Sequence, residues 1–432
     1  MQLYDTASQQ VRAFEPTREP GRVVTMYTCG ITPYDAAHIG HAATYIAYDV
    51  LQRRLRDRGH ETKLVRNVTD VDDDILRKAR ELGVHYLDLA AEEMARFSAD
   101  MEALGLLAPA AEPRATSAIP DILAFIGRLL GSGHAYQSGG GVYFDVSTCP
   151  SFGSVSHYSR TEMLRLAAER GGNPSDPNKA DPLDFVLWQP SAPGEPAWGS
   201  RWGKGRPGWH IECSALAVRE LGETVDLHGG GSDLVFPHHE CEAAQSQAVT
   251  GRPFVRHWAH TGMVHYAGAK MSKSLGNLVF VHDLLKHWEP AAVRLAVLAH
   301  HYRSEWEWHE GLLVEATARL SCWREAARRQ TAAVRPTGAG RRGGPGAGAQ
   351  AGQPPRRPEQ AGASLLAEVR AALDHDLDTP RALRAIDRAA SSYGVSTGGP
   401  GRGGGPAGAG QGDGGPLAGG IAEAAELLGV RL

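Results

Sequence analysis

An α/β fold, a doubly wound parallel sheet forming a catalytic domain and followed by a C-terminal helical region, is what this 432-residue sequence predicts. Three observations point there. Val23 to Thr28 is a β-branched and aromatic run ending at Cys29-Gly30, which reads as a strand followed by a turn. From about Ile39, Ala42, Tyr45, Ile46, Val50 and Leu55 recur at helical spacing until Gly59. Thr62 to Arg66 is a second short strand. Strand, helix and strand in this order make a βαβ unit, which closes by a right-handed crossover onto a parallel sheet. In such Rossmann-like sheets ligands sit at the carboxyl ends of strands, where Cys29 falls.

The rest of the chain follows from composition and periodicity. Residues 1–280 are expected to form the catalytic domain with an insertion at about 110–200, and 75–104 reads as one long helix. A helical region follows over 281–334. Two stretches, 335–363 and 394–420, are dominated by Gly with Pro, Ala and Arg, so they are expected to be disordered linkers flanking a helical piece at 364–393. A short helix is expected at 421–432. Gly346 to Gly352 is no phosphate loop, because no strand precedes it and no lysine follows.

With 42% hydrophobic and 22% charged residues the chain is a folded one with a sizeable core. Forty-five basic against 49 acidic side chains give a net charge of -4, which supplies no general attraction to nucleic acid or to an anionic membrane. The opening Met1 to Asp5 lacks a basic segment leading into an apolar one, and no apolar run is long enough to span a bilayer, so a cytoplasmic protein without membrane contact is expected. The five cysteines, at 29, 149, 213, 241 and 322, include no Cys-x-x-Cys pair. A disulfide framework and a zinc ribbon are thereby excluded, and any metal site must be assembled from distant segments.

Two motifs carry chemistry. His38-Ile39-Gly40-His41 puts two imidazoles in the first turn of the first helix, where free N–H groups and the helix dipole favour a triphosphate. Lys270-Met271-Ser272-Lys273-Ser274 offers two ammonium groups that could neutralise charge as pyrophosphate leaves. Taken singly, each reads more readily as a helix cap or a solvated loop. Their joint presence, in this order, is the signal.

With these motifs the sequence resembles the class I aminoacyl-tRNA synthetase superfamily and, more narrowly, cysteinyl-tRNA synthetases and their relatives, the mycothiol-pathway ligases that join cysteine to glucosaminyl-inositol. Asn67 to Asp73, Pro207 to Cys213 and Gly229 to Glu240 carry the narrower likeness, which runs from about residue 2 to 330. The resemblance implies ATP-dependent formation of cysteinyl-adenylate, with ATP taken with Mg²⁺ and with His38, His41, Lys270 and Lys273 as catalytic residues. It implies an adenylate pocket lined by Cys29, Gly30, Ile31, Thr32, Thr44, Asn67, Val68, Thr69, Trp209, Gly231, Ser232, Asp233 and Val264. It also implies one zinc ion per chain on Cys29, Cys213 and His238, a soft donor set that leaves a position open for the substrate thiolate and selects cysteine over serine by ligand type. Glu242 matches the position of a fourth ligand in cysteinyl-tRNA synthetases and departs from the ligases, so three or four ligands stay open. Cys241 is read as structural.

The acceptor separates the two relatives. Cys29 to Asp35, His41 to Tyr45, Glu169 to Pro174, His300 to Ser304 with Trp306-Glu307-Trp308, and Asp376 to Ala382 look like the ligase versions of their motifs. Too little chain remains beyond the Gly-rich stretches for an anticodon-reading domain. The acceptor implied is an amino sugar, with tRNA or another amine as alternatives, and a monomer is expected.

Overall fold

A computed structural model describes residues 1–16, 23–271, 276–334, 358–395 and 420–432. Its catalytic core is built from β1 (Val24–Ile31), α1 (Ile39–Asp57), β2 (Thr62–Val68), α2 (Trp209–Leu221), β3 (Leu227–Gly231), α3 (Glu240–Thr250) and β4 (Trp258–Thr261). The four strands pair in parallel in the order β4-β3-β1-β2, so β1 and β3 are central and all carboxyl ends share one edge. Val24, Met26, Val65 and Leu227 are fully buried along these strands, as expected for a sheet covered on both faces.

Two predicted elements differ from those observed. β1 does not turn at Cys29-Gly30 but pairs with β2 as far as Ile31 and Val68. A Cβ at Gly30 would lie 1.5 Å from the Asn67 carbonyl oxygen, so this glycine marks a close approach of two strands. The single helix expected over 75–104 is two, Asp73–Leu82 and Tyr86–Ala103, because Gly83 caps the first in the left-handed conformation (φ 67°) and His85 caps the start of the second.

Between β2 and α2 the chain adds a four-stranded antiparallel sheet of Ala135–Ser138, Gly141–Phe144, Phe185–Pro190 and Gly205–Pro207. It buries its own core around Phe144, Leu187 and Trp188, against the helix Ile119–Gly131. After the Rossmann-like core, the helices Pro290–Leu298, Gly311–Val334, Pro358–Leu373, Thr379–Ser391 and Gly420–Leu427 share one apolar cluster with α1, through residues such as Trp323, Val369, Leu383 and Ile421.

A buried ion pair fastens this assembly. Arg294 is fully enclosed, donates to Leu428 O at 2.6 Å and to Leu104 O at 3.2 Å, and pairs with Asp49 of α1. Asp49 also accepts from Leu107 N at 2.7 Å and Arg53 Nε at 2.8 Å, so its charge is distributed over several donors. The expected Gly-rich linkers fall largely on residues 335–357 and 396–419, outside the described residues. Among the described residues, no helix is long and apolar enough to cross a membrane.

Candidate active site and metal centre

The carboxyl edge of the sheet gathers side chains from four separated segments. Cys29 stands near the end of β1, Cys213 in the second turn of α2, His228 in β3, and His238, His239 and Glu242 at the start of α3. All six are buried. Pro237 and the extended Phe236 (φ −141°, ψ 135°) interrupt the helical path just before His238, which turns the two imidazoles towards the sheet.

The donor atoms converge. Cys29 Sγ lies 3.3 Å from His239 Nε2 and 3.4 Å from Glu242 Oε1, while Glu242 Oε2 is 3.1 Å from His228 Nε2. His238 Nε2 is 3.0 Å from Glu242 Oε1 yet forms no hydrogen bond, leaving a buried ring nitrogen aimed at neighbours that are themselves metal donors. Two sets of ligand atoms each fall within 4.8 Å of one another: Cys29, Cys213, His238 and Glu242, and Cys29, His228, His239 and Glu242. A buried imidazole nitrogen converging with two thiols and a carboxylate fits a borderline-soft cation such as zinc.

Electrostatics follow from this crowding. Burial alone would raise the Glu242 carboxyl, but the His228 and His238 charges outweigh it and hold it at about 2. Burial would lower His238, whereas Glu242 and Cys213 raise it to about 10. Cys213 is brought down to about 6 against its burial by a hydrogen bond from Cys29 and by His238, whereas burial and Cys213 push Cys29 well up. Further hydrogen bonds hold the rings: His210 Nδ1 lies 2.9 Å from His238 Nδ1, His239 Nδ1 lies 2.7 Å from His260 Nε2, and His260 Nδ1 lies 2.7 Å from Thr6 Oγ1. Trp209 stacks on His238 at 4.1 Å and keeps 37% of its surface exposed, so one of its faces is covered by a member of the cluster while the rest of the indole is open to solvent.

The other expected pocket residues are held by hydrogen bonds of their own. Gly30 N donates to Asn67 Oδ1 at 2.8 Å, Asn67 Nδ2 donates to Thr69 Oγ1 at 3.0 Å, and Thr32 Oγ1 donates to Asp72 Oδ2 at 2.9 Å. Ile31 O accepts from Thr69 N at 3.1 Å, and Val68 is buried at the end of β2. Thr44 Oγ1 meets Thr261 Oγ1 at 2.9 Å, which joins α1 to the end of β4. Gly231 leads into the short turn Ser232–Leu234, and a Cβ there would lie 2.5 Å from Asp233 Oδ1. Val264 is buried and its carbonyl accepts from Met271 N at 3.2 Å.

At the start of α1, His38 Nδ1 accepts from Gly40 N at 3.1 Å and His41 Nδ1 accepts from His38 N at 3.4 Å. The rings stack with centroids 3.8 Å apart. Capping thus occupies both Nδ1 atoms. The Lys270 backbone closes a short strand, Ala269–Lys270, and Lys273 lies outside the described residues. Cys241 is buried in the apolar cluster of the inserted region, apart from both ligand sets.

Sequence reasoning missed His228, His239, His260 and His210. A single histidine reads as a satisfied core residue; for His228 and His239 the available signal was the density of imidazoles within Leu227 to Glu240, and His210 and His260 lie outside that stretch.

Comparison with known proteins now bears on the site. Residues 15–318 match the family described as tRNA synthetases class I (C) catalytic domain. The chain belongs to this family. It is 47% identical over 402 residues to the L-cysteine:1D-myo-inositol 2-amino-2-deoxy-alpha-D-glucopyranoside ligase of Thermobispora bispora, covering 93% of this chain and 92% of that protein. It is 49% identical over 390 residues to the protein of the same name from Thermomonospora curvata, covering 90% and 87%. Among solved structures, methionyl-tRNA synthetase of Mycobacterium tuberculosis with methionyl-adenylate superposes with a TM-score of 0.65 at 19% identity, covering 86% of this chain and 82% of that one. The ternary leucyl-tRNA synthetase complex of Agrobacterium radiobacter gives 0.63 at 10% identity, covering 95% and 84%. These two likenesses establish the class I synthetase fold.

Proposed function

We propose that the chain is an ATP-dependent ligase that activates L-cysteine as cysteinyl-adenylate and transfers the cysteinyl group to the amine of glucosaminyl-inositol, the amino-sugar step of mycothiol synthesis. The observation that carries this reading is the buried Cys29, Cys213, His238 and Glu242 set at the carboxyl edge of the sheet, in a chain 45–49% identical to ligases of that name. Zinc held there would supply a soft Lewis acid for the substrate thiolate, and a serine hydroxyl would be the poorer ligand.

The chain's own residues do the rest. The cysteine carboxylate is already an anion, so its attack on the α-phosphate of ATP, displacing pyrophosphate, requires no activating base. His38 and His41 stand at the start of α1, where the helix dipole also favours the phosphates, and Lys270 and Lys273 offset charge on the departing pyrophosphate. Mg²⁺ accompanies the ATP. Thr32, Asn67, Thr69, Trp209, Ser232 and Asp233 line the adenylate. The acceptor amine then attacks the adenylate carbonyl and AMP leaves. The reading includes a cytoplasmic monomer that does not use tRNA.

A paired acceptor assay tests it: the purified chain with ATP, Mg²⁺ and labelled cysteine is offered glucosaminyl-inositol or total tRNA. Amide product with the sugar alone is expected. Cysteinyl-tRNA would overturn the acceptor, and pyrophosphate exchange with neither product would leave adenylate formation standing with a different amine.

A further inference from the structure

The helix Arg160–Glu169 of the inserted region ends against the segment between β3 and α3, and its capping residue Arg170 reaches across. Arg170 Nη1 donates to Asp233 O at 2.5 Å and also to Phe236 O. Both carbonyls sit where the segment's own backbone is a poor source of donors. A helical Asp233 carbonyl would bond the N–H four residues on, and that residue is Pro237, which has none. Phe236 has left helical geometry, and the Glu240 N–H that might have reached it bonds Pro237 O and Val235 O instead. A guanidinium is a strong, planar donor whose Nη1 carries two N–H groups, and the Phe236 side chain beside it is buried, so these bonds are poorly replaced by water.

This segment joins both halves of the site. On one side lie Gly231, Ser232 and Asp233 of the adenylate lining, and on the other His238 of the metal set. We infer that Arg170 is a positioning residue for cysteine activation, holding residues 231–238 in the one register that presents Asp233 and His238 together. The inserted region thereby helps to build the site through a residue that touches neither substrate nor metal. This inference rests on the ligase reading for its kinetic consequence, but its structural content can be measured separately.

The test compares the full-length wild type with Arg170→Met, which removes both hydrogen bonds, and Arg170→Lys, which keeps the charge on a shorter, non-planar group. Two readouts are taken: cysteine-dependent ATP–pyrophosphate exchange, and amide hydrogen exchange over 229–239. Arg170→Met is expected to lose about 10–100-fold in kcat/KM for cysteine, the usual effect of an outer partner. It should show faster amide exchange confined to 229–239 and regain activity with added guanidinium ion. Arg170→Lys should fall between, and it carries the comparison if the methionine variant does not fold. Unchanged amide protection, or wild-type kinetics in the variants, overturns the inference. If the wild type itself shows no pyrophosphate exchange, the ligase reading fails and amide protection alone decides the role of Arg170.

Discussion

Cys213 meets the cluster from inside α2, where its thiol is buried and helix backbone holds its position without help from a ligand. Cys213→Ala should therefore leave the protein folded by circular dichroism while abolishing cysteine-dependent pyrophosphate exchange and lowering bound zinc, because an open catalytic site contributes less to folding than a closed structural one. Full exchange activity in that variant would sink the metal assignment. Glu242→Gln keeps the shape but removes the charge that two histidines lean on. Its zinc affinity, measured by chelator competition, is expected to fall about 10–100-fold, and an unchanged affinity would exclude Glu242 as a ligand. Cys29, Cys213 and His238 could be singled out from sequence because the family motifs that carry them are specific; with 19 histidines in the chain, residue type alone would not have done it. The ring partners His210 and His260 could not, since they meet the cluster only through contacts across 21 or more residues.

At the scale of the elements, the glycines separate conformational need from lack of room. Gly59 ends α1 at φ 86° with nothing near its missing Cβ, so Gly59→Ala should cost only about 1–2 kcal/mol, the left-handed penalty. Gly229 is different: a Cβ would lie 1.6 Å from Ala259 O and 2.2 Å from the Tyr48 hydroxyl, which donates to that carbonyl at 2.6 Å. Gly229→Ala must part β3 from β4, and urea unfolding should show a larger loss than for Gly59→Ala; equal losses would mean the sheet can yield. The βαβ unit was legible because its periods change cleanly from two to 3.6. The overrun of β1 and the split at Gly83 were not, because a glycine in sequence does not say whether it serves a turn, a cap or a close approach. The antiparallel sheet of the inserted region escaped notice because strands of three to six residues leave little periodicity to detect.

The whole molecule depends on contacts between segments far apart in sequence. Arg294→Met would strip a fully buried charge from Asp49 and a guanidinium donor from Leu428 O, so a loss of roughly 3 kcal/mol or more is expected by thermal denaturation. An unchanged Tm would show that Arg53 and Leu107 suffice for Asp49. His257 gives the fold a pH dependence: burial lowers it from 6.5 to about 4, even with Asp5 nearby. Between those values the unfolded chain takes up a proton that the folded one refuses, so its share of stability is complete above pH 6.5 and is lost as the pH falls towards 4. His257→Gln should therefore flatten the fall in Tm between pH 7 and 5, and an unaltered slope would count against it. Composition marked the Gly-rich stretches readily, but it could not reveal that helices beyond them return to the cluster around α1. Nothing local in Gly420 to Leu428 identifies Arg294 as its partner.

That return has a consequence in time. Arg294 lies 245 residues from Asp49 and 134 from Leu428. At a synthesis rate of ~5–20 residues per second, the nascent chain carries Arg294 for on the order of ten seconds before the Leu428 carbonyl exists to receive it. During that interval α1 and its pair of capping histidines can form, yet the wall behind them is missing a piece. The buried ion pair around Arg294 is therefore completed late, after the sheet and α1 have been synthesised.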